Sequence, residues 1–430
     1  MDYASAVAEL TSRGRFGISL GLERVARLMD ELDHPERELH GALIGGTNGK
    51  GSVVAMTRSV LVAAGLRVGS MPKPHLVSYR ERIALDGSPL SPKRFAAAVE
   101  GVLPAIDRVT AALGPPTEFE ALTAAAIREL ARSNIDVALV EVGMGGRLDA
   151  TNVLDLGVAC ITNVQLDHER YLGSTLAKIG TEKAAIIKRG NLAVSGTSGR
   201  GLRPILDRCA RLGIALRRPA RVLVQESGWD GLRIDVGALR DLHIGLLGSH
   251  QAANAAVALA LVDALRDDGE RRGTPRNADE AAIRQGMRDV RWPGRLELLT
   301  SDTFGRVLLD GAHNPAGARA LAQALRELGV SGPPLVFGAM RGKRVGAVLR
   351  ALAPLDPRFI FTAVADPGAH VPAELRRIWG ADAQVTATPN EALERAAQMR
   401  RGEEPIVVAG SLYLVGAVRG ILTGEQEEAA

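Results

Sequence analysis

Three features are scarce in this chain of 430 residues, and each scarcity excludes a class of protein. Only two cysteines occur, Cys160 and Cys209, so there is no disulfide framework and no cysteine spacing of the metal-binding type. Aromatic residues make up 3% of the chain, which leaves few stacking platforms for single-stranded nucleic acid. No uncharged apolar run reaches the roughly 18 residues that a membrane-spanning helix requires. We therefore predict partners that are neither nucleic acids nor membranes.

The overall composition is that of a globular protein. Apolar residues account for 46% of the chain and charged residues for 24%, and the formal net charge is +4. The length allows two or three domains with large cores, and the mild positive charge suits small anionic substrates. The N-terminus lacks a basic segment followed by an apolar core, so no signal peptide is expected, and the low cysteine content fits a reducing cytoplasm.

A glycine-rich stretch at residues 45–52 follows a short apolar run at residues 42–44 and precedes a helical pattern. We predict that Ser52 caps this helix and that Gly65 ends it. In a strand–loop–helix unit of this kind, backbone N–H groups and the helix N-terminus bind nucleotide phosphates. Lys50 can then reach the β- and γ-phosphates, while the Ser52 hydroxyl can ligate Mg²⁺.

The stretch departs from the strict phosphate-loop pattern G-x-x-x-x-G-K-[ST]. Ile44 stands where the first glycine is required, and Gly51 separates Lys50 from Ser52. An ordinary glycine-rich turn between a strand and a helix is the alternative interpretation. The apolar run before the loop and the helical pattern after it favour phosphate binding.

Apolar runs alternate with helical patterns, which predicts parallel sheets whose carboxyl ends collect ligands. Strands are expected at 42–44, in the segment 68–76, which ends in a loop, at 136–142 and at 157–164, then three antiparallel strands near 222–225, 232–236 and 242–244. After a strong helix at 251–265 and a polar loop, further strands are expected at 306–310, 334–338, 358–362 and 405–409. The predicted fold is α/β, with a P-loop-type parallel-sheet ATPase domain at 1–295 and a smaller, Rossmann-like C-terminal domain at 296–430.

Four polar residues follow or lie near predicted strands. Glu141 ends a buried strand and suits Mg²⁺, with a capping or salt-bridged role as the alternative. His168 would ordinarily be a structural histidine, but next to Glu141 on a neighbouring strand it becomes a candidate ligand. Lys183, judged on its sequence alone, is an exposed charge at a helix start with no chemistry. Asp310 opens the segment Asp-Gly-Ala-His-Asn-Pro, which favours a ligand-binding loop over a plain turn.

Together these segments resemble the folylpolyglutamate synthase/dihydrofolate synthase family of the Mur ligase superfamily. The resemblance runs from about residue 20 to residue 412. Its motifs occur in order: LGLERV at 20–25, GTNGKGS at 46–52, PHL at 74–76, FEALT at 119–123, EVGMGGRLDATN at 141–152, LDH at 166–168, EKA at 182–184, HQAANAA at 250–256, PGR at 293–295, DGAHNP at 310–315 and GSL at 410–412. The resemblance implies an ATP-dependent carboxylate–amine ligase that adds L-glutamate through an acyl phosphate.

The resemblance also implies roles for individual residues. Nucleotide binding is expected from Thr47, Asn48, Gly49, Lys50, Gly51, Ser52, Asn254, Arg295 and Asp310. Metal binding is expected from Ser52, Glu141 and His168, and Lys183 matches a lysine that the family carries as a carbamate. Lys50, Lys183 and His168 are therefore the expected catalytic residues. Substrate contacts are expected from Ser19, Leu20, Gly21, Leu22, Lys73, Thr117, Glu118, Phe119, Glu120, Leu148, Asp149, Ala150 and His313, most of them on the pterin side.

Three departures from the family pattern stand out. Lys73 replaces a serine that binds Mg²⁺ in the family, and an ammonium group cannot ligate a metal. We hypothesise that this amine neutralises a phosphate or pairs with Glu141 in place of a metal ion. Residues 340–344, Met-Arg-Gly-Lys-Arg, lack the two acids that usually flank the lysine there. Ala185 replaces a glycine, a minor change.

The expected activity is that of a dihydrofolate synthase and folylpolyglutamate synthase, using ATP, Mg²⁺, L-glutamate and dihydropteroate or reduced folates. A monofunctional folylpolyglutamate synthase is one alternative, and a ligase that joins another amino acid to another carboxylate is a second. A third is a nucleotide-binding regulator that has lost catalysis, for which Lys73 and Arg344 are the best arguments. A cytoplasmic monomer is expected.

Overall fold

The computed structural model describes residues 1–16, 20–380 and 383–425, and its chain separates into two compact units. The first unit comprises Met1–Arg221 and Asn254–Asp289, and the second comprises Val222–Ala253 and the chain from Val290 onward. The predicted α/β fold class, with a large parallel-sheet unit and a smaller C-terminal α/β unit, is confirmed.

The first unit is built on an eight-stranded sheet with the order β4-β3-β2-β5-β1-β6-β7-β8. The short strands β3 and β4 are antiparallel, and the others are parallel. Its strands are β1 Gly41–Gly45, β2 Val68–Met71, β3 Ala84–Leu85, β4 Ser88–Pro89, β5 Val137–Glu141, β6 Gly157–Ile161, β7 Leu192–Ser195 and β8 Leu216–Arg217. Every residue of β1, β2, β5 and β6 is buried, as expected for a parallel sheet covered on both faces.

Eleven helices accompany this sheet among the residues that the structure describes. The last but one, α10, begins in the second unit and belongs to the first unit from Asn254 onward. The helices are α1 Tyr3–Ser12, α2 Glu23–Glu31, α3 Lys50–Ala63, α4 Pro92–Glu100, α5 Leu103–Leu113, α6 Glu118–Ala131, α7 Glu169–Leu172, α8 Leu176–Ala184, α9 Arg203–Leu212, α10 His250–Arg272 and α11 Glu280–Asp289.

Two predicted helix ends were wrong. Helix α3 begins at Lys50 and not at Ser52, because Gly49 adopts φ +78° and turns the loop directly into the helix without a side-chain cap. Helix α10 extends to Arg272 through the predicted start of the polar loop. Its last turns are stabilised by Asp268, whose carboxylate pairs with Arg271 and Arg272 at 3.0 and 2.9 Å.

The second unit contains a three-stranded antiparallel sheet and a six-stranded sheet with the order β12-β13-β17-β14-β15-β16. Within the larger sheet, β12 is antiparallel to β13, and the remaining pairs are parallel. Its strands are β9 Val222–Gly228, β10 Gly231–Val236, β11 Leu239–Ile244, β12 Arg295–Ser301, β13 Gly305–Asp310, β14 Pro334–Phe337, β15 Arg358–Phe361, β16 Gln384–Val385 and β17 Ile406–Ala409. Its helices are α12 Pro315–Glu327, α13 Val345–Leu352, α14 Pro372–Trp379, α15 Pro389–Met399 and α16 Leu412–Thr423.

Residues 222–253 account for most of the difference between these units and the predicted boundary at 295/296. Their strands form hairpins with one another, and their polar side chains contact helix α12. Ser227 and Ser249 both donate hydrogen bonds to Glu327, at 3.1 and 2.7 Å. A hairpin pattern carries no information about which sheet the hairpin packs on. The prediction from sequence therefore included this segment in the first domain.

Within the described part of the chain, no helix has both the length and the apolar character required to cross a bilayer.

Candidate active site

The glycine-rich loop after β1 is held by the loop that follows the neighbouring strand β6. Asn163 accepts hydrogen bonds from the backbone N–H groups of Thr47 and Asn48, through its carbonyl and side-chain oxygens respectively, both at 3.0 Å. The Thr162 hydroxyl donates to the Asn48 carbonyl at 2.7 Å. Since the loop is fixed by its own protein contacts, it is shaped before any ligand arrives.

Gln165 completes this support. Its backbone N–H donates to the Thr47 hydroxyl at 3.0 Å, and its side-chain oxygen accepts from the Asn48 amide at 2.5 Å. The three supporting residues, Thr162, Asn163 and Gln165, were not among the predicted site residues. One pattern could have identified them: they are polar residues directly after a buried strand, at the sheet edge where the glycine loop was expected.

Two glycines of the loop allow its neighbours to approach closely. A Cβ atom at Gly46 would lie 1.9 Å from the Thr162 hydroxyl oxygen, and one at Gly49 would lie 2.3 Å from the Asn254 side-chain oxygen. Helix α10 thus places Asn254 directly against the loop, within the first unit. This contact explains why an asparagine distant in sequence from the loop belongs with it.

Two lysines converge on one carbonyl of the loop. Lys50 Nζ donates to the Gly46 and Thr47 carbonyls, both at 3.2 Å, and lies 3.8 Å from Glu141 Oε1. Lys183 Nζ donates to the same Gly46 carbonyl at 2.9 Å. The structure therefore groups Lys50, Lys183 and Glu141 around the loop at the carboxyl edge of the sheet.

The interpretation of Lys183 from its own sequence, as an exposed charge, was wrong. It lies in the last turn of α8 and is 4% exposed. Burial and, to a smaller extent, the Lys50 cation lower the pKa of its amine to about 7, although the carboxylates of Asp167 and Asp149 partly oppose this shift. Burial by the distant glycine loop was not visible in the local helical pattern.

Lys73 follows strand β2 and lies beside Glu141, which ends the adjacent strand β5. Its backbone N–H donates to Glu141 Oε2 at 3.2 Å, whereas its ammonium group lies 3.3 Å from the centroid of the Phe119 ring. Burial lowers the pKa of the amine to about 8. The hydrogen bond to Glu141 thus comes from the backbone of Lys73, and its side chain points to the aromatic ring.

His168 is less closely tied to Glu141 than predicted. The strands before these residues, β6 and β5, are not neighbours, because β1 lies between them. The His168 side chain is 40% exposed, and its Nε2 lies 3.9 Å from Asp167 Oδ2. His168 also adopts φ +49°, so it occupies a tight turn of the loop that carries Gln165.

The predicted pterin-side segments have differing local roles. Thr117 and Glu120 form a capping box at the start of α6, and Glu120 also pairs with Arg24 at 3.0 Å. Glu118 Oε1 accepts a hydrogen bond from the Tyr79 hydroxyl at 2.8 Å. Phe119, the next residue of this segment, faces the amine of Lys73. Ser19 lies outside the described residues. Of the remaining predicted residues, Leu20 is 40% exposed, Gly21, Leu22 and Leu148 are half-buried, and Asp149 and Ala150 are buried.

In the second unit, Asp310 organises the edge of the sheet. Its two carboxylate oxygens accept hydrogen bonds from the backbone N–H groups of Ala312 and Leu296, at 2.9 and 3.0 Å. A Cβ atom at Gly311 would lie 2.0 Å from an Arg295 guanidinium nitrogen, so Arg295 passes directly over this glycine. His313 Nδ1 donates to the Gly311 carbonyl at 2.8 Å. Burial raises the pKa of Asp310, although the charge of Arg295 acts against the rise.

Comparison with known proteins agrees with this geometry. The family model of the Mur ligase glutamate ligase domain matches residues 294–412. A dihydrofolate synthase/folylpolyglutamate synthase of Bacillus subtilis is 31% identical over 97% of this chain and 98% of its own length. A probable bifunctional folylpolyglutamate synthase/dihydropteroate synthase of Haloferax volcanii is 33% identical over 97% of this chain, which spans only 50% of that relative.

Solved structures are similar over the full chain. The Mycobacterium tuberculosis folylpolyglutamate synthase complexed with ADP and AMPPCP is 32% identical, with a TM-score of 0.89 over 99% of this chain and 100% of that one. A bifunctional folylpolyglutamate synthase/dihydrofolate synthase with Mn, AMPPNP and L-glutamate bound is 29% identical, with a TM-score of 0.84 over 98% of both chains. The chain therefore belongs to the folylpolyglutamate synthase/dihydrofolate synthase family of ATP-dependent ligases, within the Mur ligase superfamily.

Proposed function

We propose that this chain joins L-glutamate to dihydropteroate and to reduced folates, with ATP as the source of energy. The observation that carries the proposal is the convergence of Lys50, Lys183 and Glu141 on the preformed glycine loop. The Lys50 cation and the backbone N–H groups at this edge of a parallel sheet suit the phosphates of ATP. The names of the relatives and the ligands of the structural neighbours support the choice of the other substrates.

The reaction takes place in two transfers. An oxygen of the acceptor carboxylate attacks the γ-phosphorus of ATP, the bond from that phosphorus to the β-phosphate oxygen breaks, and ADP leaves. The amine nitrogen of L-glutamate then attacks the acyl carbon, inorganic phosphate leaves, and the amine releases its proton to solvent. The chain positions the substrates and neutralises charge. The amine of Lys50, which donates to two loop carbonyls at 3.2 Å in this structure, donates to the phosphates when ATP is bound.

The residues present fit a divalent ion that arrives with ATP. Among the residues that the structure describes, no group of three or more His, Cys, Asp or Glu side chains could hold a metal alone. Mg²⁺ in nucleotide sites needs only one or two protein carboxylates, because phosphate and water complete its coordination. Glu141 and the Ser52 hydroxyl would hold it, and it would neutralise charge on the transferring phosphoryl group. His168 is a less suitable ligand, since imidazole prefers softer metals.

We further propose that Lys183 is carbamylated. A pKa of about 7 leaves a large share of its amine neutral at physiological pH, and the neutral amine is the form that attacks CO₂. A nitrogen–carbon bond forms, one proton is released, and the product carries a carboxylate-like group beside the glycine loop. The carbamate nitrogen keeps one hydrogen, which can still donate to the Gly46 carbonyl.

Release of phosphate tests the function. The purified chain is given Mg-ATP and L-glutamate with 7,8-dihydropteroate or with tetrahydrofolate, in separate reactions. We expect glutamate-dependent phosphate release with both acceptors, which would establish the two activities. Release with tetrahydrofolate alone would indicate a monofunctional folylpolyglutamate synthase. Release with neither acceptor would overturn the proposal and favour a nucleotide-binding regulator.

We also propose that the protein acts as a monomer in the cytoplasm. The two cysteines, Cys160 and Cys209, are both buried and unpaired by disulfides, which agrees with a reducing compartment. Light scattering at assay concentration measures the oligomeric state directly, and a dimer mass would overturn that part of the proposal.

A further inference from the structure

The amine of Lys73 is the least satisfied charged group beside the candidate active site. The residue is 9% exposed, and its Nζ has no hydrogen-bond partner among the described residues. The face of the Phe119 ring, 3.3 Å from Nζ to the centroid, is its closest support. Burying a cation without hydrogen bonds costs stability, so a group held in this way suits a function and not the fold.

Lys73, Phe119 and Asp149 converge on Gly143. A Cβ atom at Gly143 would lie 2.9 Å from Asp149 Oδ2, 3.2 Å from the ring of Phe119 and 3.3 Å from Lys73 Nζ. The glycine therefore leaves the amine, the ring and the carboxylate close together. The ring covers one side of the amine, so an aryl carboxylate that reaches the amine would lie beside the ring with its charged end at the amine.

The carboxylates near Lys73 are already committed to other groups. Asp149 accepts hydrogen bonds from the Met144 and Thr151 N–H groups at 2.8 and 3.0 Å, and from the Thr151 hydroxyl at 2.6 Å. Glu141 accepts from the Lys73 backbone and lies 3.8 Å from Lys50. The three hydrogens of the ammonium group therefore remain available for an anion that the protein does not supply.

The position of the amine indicates which anion this is. Glu141 contacts both the Lys73 backbone and Lys50, so Lys73 lies one residue away from the lysine of the glycine loop. The acceptor of the phosphoryl group must lie near this loop, and the ring of Phe119 offers an apolar neighbour for its aromatic part. We infer that Lys73 binds the carboxylate of the pteroyl acceptor and holds it for attack on the γ-phosphate of ATP.

This inference rests on the proposed function. Under it, Lys73 is a catalytic residue, because its side chain contacts the substrate. The charged groups that act on its amine are the carboxylates of Asp149 and Glu141 and the cations of Arg82 and Lys50.

Binding of an acid and its amide tests the inference. Equilibrium affinities for 7,8-dihydropteroate and for its uncharged carboxamide are measured by pterin fluorescence, without ATP, in wild type, Lys73→Met and Lys73→Arg. We expect wild type to bind the acid at least about tenfold more tightly than the amide, because the amide leaves the buried charge unpaired. Lys73→Met should bind both ligands equally, and Lys73→Arg should recover part of the preference. Lys93→Met, at an exposed position on α4, is the matched control and should behave as wild type.

Several outcomes would overturn the inference. A wild type without acid preference would do so, as would Lys73→Met with the preference intact. Loss of ATP affinity in Lys73→Met with an unchanged acid preference would instead assign the amine to a phosphate. If Lys73→Met does not fold, as judged by circular dichroism, Lys73→Gln takes its place. Failure of the proposed function is distinguishable, because a wild type that releases no phosphate with either acceptor fails before the variants are compared.

Discussion

At the carboxyl edge of the first unit's sheet, amines surround a glycine loop, whereas at the same edge of the second unit's sheet a carboxylate holds the backbone. Lys50 and Lys183 share the Gly46 carbonyl in the first unit. Asp310 receives two backbone N–H groups in the second. Both sheets are mainly parallel, although their strand orders differ, so the chemistry of each edge depends on which side chain stands where a strand ends.

Burial acts on both edges in opposite directions. It lowers the pKa of Lys183 to about 7 and of Lys73 to about 8, and it raises the pKa of Asp310. In each case, removal from water disfavours the charged form. The two edges differ in which groups offset the cost of burying a charge. Backbone N–H groups of the fold itself satisfy Asp310, whereas the amine of Lys73 has no hydrogen-bond partner among the described residues. The first edge is thus built to be completed by anionic ligands.

Replacing Lys50 would produce the largest effect, since it removes the cation nearest the loop. We expect Lys50→Met to lower kcat/KM for ATP by about 10²–10³-fold, because it removes one preorganised charge from the transferring phosphoryl group. Steady-state kinetics measure the change. Lys93→Met is the control, and a Lys50→Met variant within about twofold of it would contradict the assignment of this edge to phosphate.

Lys183 provides the next test of the same edge. Wild type incubated with ¹³C-bicarbonate should show a carbamate carbon resonance by NMR that Lys183→Met lacks, together with about a 10²-fold lower kcat in the variant. Lys178→Met changes an exposed lysine of the same helix α8 and should keep both the resonance and the activity. A wild type without the resonance in saturating bicarbonate would refute carbamylation.

Lys73 allows the cost of an unsatisfied charge to be measured. Burial lowers the pKa of its amine from the ordinary 10.5 to about 8. Below pH 8 the amine is protonated in both the folded and the unfolded chain, so the full cost of burying its charge lowers the free energy of unfolding. Between the two values the unfolded chain binds more protons, so stability rises with pH and the cost disappears. We expect Lys73→Met to raise the free energy of unfolding at pH 7 by up to roughly 3 kcal/mol, and by little at pH 10.

Denaturant titrations of wild type and Lys73→Met at both pH values measure this difference. A variant that is less stable than wild type at pH 7 would show that the ammonium group contributes to the fold. That result would weaken the contrast between the two edges.

Replacing Asp310 should have the smallest effect, and it should lower the free energy of unfolding where replacing Lys73 raises it. Asp310→Asn keeps one oxygen but places an amide N–H₂ against the second backbone N–H, which loses its acceptor. We expect a loss of about 1–2 kcal/mol in the free energy of unfolding. Asp302→Asn, at an exposed position in the same unit, is the control and should be neutral. An unchanged stability in Asp310→Asn would mean that its contacts with Leu296 and Ala312 do not hold this edge.

Sequence patterns predicted the central strands well because these strands are continuous apolar runs. Strands β1 and β5 lie within a residue or two of their predicted positions, and β6 begins at the predicted residue but ends three residues earlier than predicted. Strand β12 was not predicted, since it is a half-exposed edge strand whose polar residues break the apolar pattern. The start of α3 was placed too late because a serine cap was favoured over a left-handed glycine.

Local patterns were enough to predict the α/β class, the glycine loop and the order of the family motifs, because these depend on apolar periodicity and on short spacings. Tertiary packing decided that Thr162, Asn163 and Gln165 fix the loop and that Lys183 is buried against it. It also decided that the amine of Lys73 faces Phe119 and not Glu141. These features depend on strand order and on burial, and both arise when segments far apart in the chain pack together.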